Sequence, residues 1–238
     1  MAKKLTPETI EAAAQHLENI QSGKTPILNG KGNGKGPKEE THSTYTLGSK
    51  EKQRVFPLIP PSDPRLLMQI APFIDDTLKE FDFKDRVDLS KVMYDTMVKY
   101  GGLGLAANQC GLPYRMFVMG GHPSIEAGKV RSIFNPLVND VSQETVNMKE
   151  GCLSFPFLFL MIDRPKWVSV KYTDQHGKEI EETLHGMSAR IFQHENEHMN
   201  GYVFIDLVSK LKLERAEKVK EKMIKEIKRR QSAPKIFH

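Results

Sequence analysis

Apolar positions along this chain change period several times, and the changes outline its elements. Residues 89–100 set Leu89, Val92, Met93, Met97 and Tyr100 at helical spacing, with Asp88 or Ser90 as the cap and Gly101 beyond the end. Arg115 to Met119 is a short apolar run that reads as a strand. Trp167 to Tyr172 alternates as a strand, Asp174 to Gly177 makes a turn, and Glu179 to Leu184 returns as the hairpin partner. Ser188 to Asn200 reads as a helix stopped by Gly201. Leu207, Val208, Leu211, Ala216, Val219, Met223 and Ile227 predict one apolar stripe on a long basic helix. Strands gathered before a central helix give an α+β class, with mixed or antiparallel sheet around that helix and a further helix at the C-terminal end.

The first 54 residues follow a different pattern. Thr6 and Pro7 open a short helix with Ile10, Ala13, Ala14 and Leu17 on one side. Residues 29–40 hold four Gly, three Lys and one Pro with no apolar side chain to bury, and predict a flexible linker. Pro57, Pro60, Pro61 and Pro64 then make an extended approach. Three parts follow: an N-terminal extension over 1–54, a catalytic domain over 55–209, and a basic C-terminal helix and tail over 210–238.

Composition narrows the setting. No apolar run approaches the ~20 residues that a bilayer crossing needs, and Met1 to Thr6 lacks the apolar stretch of a secretory signal. The first arginine is Arg54, which argues against an organelle transit peptide. With Cys110 and Cys152 as the only cysteines, a disulfide scaffold is excluded and a reducing, cytoplasmic location is expected. The net charge of +5 is unevenly spread: residues 55–209 carry 15 Lys/Arg against 20 Asp/Glu, while residues 210–238 carry 11 against four. A basic tail of that kind suits either a polyanion or a solvated helix face.

The chemistry centres on His194-Glu-Asn-Glu-His198. On a helix, residues four apart share a face, so two imidazoles can converge on one ion. Glu195 then stands beside the first ligand, placed for general-base work on a water activated by that ion. A catalytic ion takes a third protein ligand. A histidine three residues after Gly201 is ruled out, because Phe204 stands there. Glu217 and Glu221 are possible, as in an HExxH metallopeptidase with a downstream Glu ligand, although they lie among lysines. Cys152, within Glu150-Gly-Cys-Leu-Ser154, is the better candidate. A third segment, Gly102-Leu-Gly-Leu-Ala-Ala-Asn-Gln109, allows close backbone approach to a ligand and ends in an amide donor. Cys110 beside it reads as a small buried hydrophobe.

These three segments, in this order, resemble the peptide deformylase family, whose hallmarks are G-φ-G-φ-A-A-x-Q, E-G-C-φ-S and Q-H-E-x-x-H (φ apolar). The resemblance spans roughly residues 60–230 and includes Asn135-Pro136 and Arg164. It implies that Cys152, His194 and His198 hold one divalent ion, Fe(II) foremost, with Zn, Ni or Co able to occupy the site. It also implies that Glu195 moves the proton, and that the Gln109 amide and the Leu153 N–H stabilise the oxyanion. Substrate contacts fall to Leu103, Gly104, Glu150, Gly151, Met187 and Ile191. The implied reaction removes the formyl group from N-formylmethionyl nascent peptides and releases formate. The implied partners are those peptides and the ribosome, met by the basic C-terminal helix, with no membrane and no DNA. Two departures stand out. Phe155 to Ile162 is unusually apolar, with Phe159 where a basic residue is common, which predicts a hydrophobic rim. Glu197 replaces the common Asp, a change expected to leave catalysis intact.

Overall fold

The computed structural model describes residues 54–232. The short helix expected near Thr6 and the linker over 29–40 lie outside the described residues. Seven strands are formed there: β1 (Gly104–Ala106), β2 (Met116–Gly120), β3 (Val130–Val141), β4 (Thr145–Cys152), β5 (Phe155–Pro165), β6 (Trp167–Thr173) and β7 (Glu179–His185). Five of them join in the order β1-β2-β3-β6-β7, while β4 and β5 form a separate pair. Every pairing is antiparallel. The helices are α1 (Arg86–Lys99), α2 (Gly186–Met199) and α3 (Lys210–Ser232).

Strand β2 explains why its sequence is apolar throughout. Met116 and Val118 join the core made with Leu89, Val92, Met93 and Met97 of α1. Phe117 and Met119 face the other way, into the core made with Ala189, Ile191, Phe192 and Met199 of α2. A sheet covered by a helix on each face has no wet side, so its central strand loses the polar half of the alternation. The Phe117 and Phe192 rings meet edge to face at 5.3 Å. This packing holds α2 against the sheet, and α2 carries both histidines of the motif.

Two expectations are corrected, and a third is refined. Helix α1 begins earlier than its apolar period, capped by Asp85, whose carboxylate accepts the Asp88 N–H at 2.8 Å. Ser90 is instead buried in the helix body, and the first turn, Arg86 to Asp88, has only the exposed Val87 as an apolar residue and so carries no period to read. The run Phe155 to Ile162 is not uniformly buried. Leu158, Leu160 and Ile162 point into the core while Phe159 and Met161 are exposed, as strand alternation requires. The proposed stripe on the C-terminal helix also divides. Met223 and Ile227 are buried, and Leu213 and Ala216 pack on the core that includes Leu158, Leu160 and Phe204. Leu211 and Val219 are exposed, and Leu207 precedes the helix. Leu211 and Leu213 are two residues apart, about 200° around a helix, so they cannot share a face.

The strands β3, β4 and β5 were not legible in the sequence. β3 carries register shifts between Phe134 and Leu137 and between Val138 and Asp140, which break its alternation. β4 is mostly polar and exposed until Glu150 and Cys152.

Candidate metal centre

Helix α2 brings His194 and His198 to one face, and Cys152 is the last residue of β4. One ligand atom from each of the three lies within 4.8 Å of the other two, and all three residues are buried. Cys152 Sγ is 3.4 Å from His198 Nε2. The two imidazole rings stand nearly perpendicular, 5.3 Å apart. A helix and a strand thus meet at one point, which no stretch of sequence contains alone.

Glu150 fixes His194. Its Oε2 lies 3.3 Å from His194 Nδ1, which leaves Nε2 to face the site. The same carboxylate receives Arg164 Nε at 2.7 Å and Nη2 at 3.0 Å, and also pairs with Arg190 Nη1. Burial works against its charge, but hydrogen bonds from His194 and Arg164 outweigh burial and hold the carboxyl at about 2. Glu150 was expected to contact substrate. It lines the cavity, and its oxygens are held by the arginines and His194, so it also positions His194. Glu197 completes the cluster by accepting from Arg164 Nη1 at 2.6 Å and Nη2 at 2.9 Å, so the departure at this position retains an ion-pair partner.

Gln109 is oriented from behind: its Oε1 accepts the Ala106 N–H at 2.8 Å. Its Nε2 then donates to Ser154 Oγ at 3.1 Å and Cys152 Sγ at 3.4 Å. Glu195 rests against the backbone of Gly104. Burial raises its carboxyl to about 7 despite the opposing pull of His194 and Arg164. The cavity these groups face measures about 460 Å³. Leu103, Gly104, Glu150, Gly151, Met187 and Ile191 line it beside Leu153, so all the expected substrate contacts stand along its wall. Cys110 is buried and its thiol is pushed up to about 12, which suits a packing role.

The residues fit a transition-metal ion. His198 Nδ1 and Glu195 Oε2 are buried without a hydrogen-bond partner among the described residues. Burial disfavours charge on His194, yet Cys152, Glu150 and Glu195 around it hold its pKa well above the ordinary histidine value. The surroundings therefore favour a cation at this point. Burial, with the charges of His194 and Arg164, keeps His198 well below that value, hence a neutral donor. One sulfur and two imidazoles suit a borderline divalent metal, whereas Mg²⁺ and Ca²⁺ prefer oxygen. The alternative Glu ligands fare poorly: Glu217 pairs with Lys220 at 3.4 Å on α3, and Glu221 is exposed.

Sequence reasoning missed three residues at this site. Arg190 lies four residues before His194 on the same helix face, and a charged side chain on that face was a readable signal. Ser154 stood in the motif without a role. Met223 of α3 lines the cavity, and nothing in its own segment could have indicated that.

A buried sulfur–imidazole ligand set with an adjacent carboxylate, set on a helix in an α+β fold, defines a metal-dependent hydrolase. Comparison with known proteins gives the family. The sequence model of the polypeptide deformylase family matches residues 61–214. The peptide deformylase of Thermotoga maritima is 44% identical over 120 residues, 50% of this chain and 70% of that protein. That of Maricaulis maris is 41% identical over 149 residues, 62% of this chain and 81% of that protein. The crystal structure of peptide deformylase from Ehrlichia chaffeensis matches with a TM-score of 0.60 at 36% identity, covering 73% of this chain and 99% of that one. This chain belongs to the peptide deformylase family. Among the described residues no helix is long and apolar enough to cross a membrane.

Proposed function

We propose that this chain removes the formyl group from the N-terminal methionine of nascent polypeptides, with Cys152, His194 and His198 holding the ion. The observation that carries this reading is the convergence of these three side chains with Glu195 and Gln109 on one cavity. When bound, the ion supplies Lewis acidity and lowers the pKa of a water. Glu195 takes the proton from the attacking water and passes it to the departing amine. A carboxyl near 7 can do both at neutral pH. The Gln109 amide and the Leu153 N–H face the carbonyl oxygen as it gains charge. Losing one such donor typically costs about 2.7–4 kcal/mol of barrier. Leu103, Gly104, Met187 and Ile191 offer the apolar wall for the methionine side chain, and the products are formate and a free amino terminus.

The sulfur in the ligand set favours Fe(II) as the working ion, with Zn, Ni or Co able to replace it. Two free, buried cysteines suit a reducing, cytoplasmic setting. Arg215, Lys218, Lys222 and Lys225 are exposed on α3, spaced by three, four and three residues and turned away from Met223 and Ile227. That basic stripe is the surface offered to ribosomal RNA.

The test is formate release from formyl-Met-Ala-Ser by protein purified anaerobically, with its metal content measured on the same preparation. The wild-type chain should turn over with iron bound. Glu195→Gln should keep its metal and lose about 10²–10⁴-fold in kcat. Undiminished turnover in that variant would sink the mechanism.

A further inference from the structure

The rim of the cavity carries a cation beside the apolar side chains that its sequence predicted. Phe159 is 43% exposed, and Lys149 Nζ lies 4.5 Å from the centre of its ring. Lys149 and Gly151 share the outer face of β4, and Phe159 stands opposite Gly151 on β5. The ring can lie flat there only because Gly151 has no side chain: a Cβ would meet Phe159 Cε1 at 2.8 Å and Cδ1 at 3.0 Å. Lys149 is exposed, lines the cavity, and makes no ion pair with a carboxylate among the described residues. The nearest acidic groups on this sheet are occupied: Glu150 by two arginines and His194 on the inner face, and Asp163 by Asn147 at 2.9 Å. A cation without a counter-charge is thus held at the mouth of the cavity on an aromatic shelf, which limits the freedom it would lose on pairing.

Position along the strand says which part of a substrate meets it. Lys149 is three residues before Cys152, about 10 Å at strand rise. An extended peptide advances about 3.3–3.6 Å per residue. A chain with its formyl carbon at the ligand set therefore brings its second or third side chain level with Lys149.

We propose that Lys149, held by Phe159, is a specificity-determining residue that favours formyl-methionyl chains with a carboxylate side chain at the second or third position. This rests on the deformylase reading and names the substrate class it prefers.

The test compares kcat/KM on formyl-Met-Ala-Ser amide with its variants carrying Glu or Lys in place of Ala or of Ser. Amidation removes the terminal carboxylate as a rival anion. The wild-type chain should prefer Glu over Lys by about fivefold in at least one of the two positions at low ionic strength, the size expected of an exposed ion pair. High salt should shrink that ratio. Lys149→Met should bring it close to one, and Lys149→Glu should reverse it. Lys178→Glu, in the β6–β7 turn, makes the same change in net charge and should leave the ratio at its wild-type value. An unaltered ratio in Lys149→Glu, or the same loss of preference in Lys178→Glu, would overturn the proposal while leaving deformylation standing. Absence of turnover on every formyl peptide by the wild-type chain would overturn both.

Discussion

Glu195 leans on the backbone of Gly104 so closely that a Cβ there would lie 2.8 Å from the carboxylate carbon and 2.7 Å from Ile191 Cγ2. Gly104 is buried in β1, so both side chains would have to shift to admit a methyl group. Gly104→Ala should therefore displace Glu195 and lower kcat by roughly 10²-fold, since a shift near 1 Å is enough to do so. Metal content measured beside kcat separates this from loss of the ion. Retained activity would show that Glu195 needs no such support. At this scale the sequence was informative where spacing alone decides contact: His194 and His198 share a face because they are four apart. The positioning role of Glu150 was not legible because it depends on which groups lie across from it. Arg164 reaches it from β5 and Arg190 from α2, and neither closeness follows from chain position.

Helix α3 shows a limit of periodicity. Its apolar residues were read as one stripe, but they lie on two faces, and only the face with Met223 and Ile227 packs on the domain. Deleting the helix would expose that face, so it is a poor test of what the helix binds. Replacing Lys218, Lys222 and Lys225 together by Glu leaves the buried side untouched. The triple variant should co-sediment with ribosomes less than the wild type, with the steep salt dependence of its binding flattened by about three contacts' worth. Binding equal to wild type at every salt concentration would remove the ribosome from the reading of α3. Periodicity worked better for α2, β6 and β7, whose boundaries differ from expectation by one to two residues. One packed face and clear turn residues at each end make such elements readable. It failed for β3, whose bulges interrupt the pattern, and for β4, whose polar half faces solvent.

Across the whole molecule, the ligand set joins the separate β4–β5 pair to α2 and, through α2, to the five-stranded sheet. An ion held there adds to the Glu150–Arg190 and Arg164–Glu197 ion pairs that already tie these parts together, so its removal should loosen the domain as well as silence it. An ion at about 1,000 times its dissociation constant adds about 4 kcal/mol. For a domain of this size each kcal/mol moves Tm by about 2–4 °C. Chelation should lower Tm by roughly 10 °C, with recovery on adding back Fe(II) anaerobically. A Tm indifferent to chelator would show that no ion contributes to the fold. By itself the sequence determined the α+β class and singled out Cys152, His194 and His198 as candidate ligands, with Glu195 beside them as candidate base. Those features rest on helical spacing and on residue types that few other roles require. The tertiary structure alone decided that Glu150 orients His194, that Met223 reaches the cavity, and that Lys149 lies across Phe159 at its mouth. Each of these depends on strands and helices distant in the chain being packed side by side, and that adjacency is fixed by the burial of whole faces and not by any local pattern.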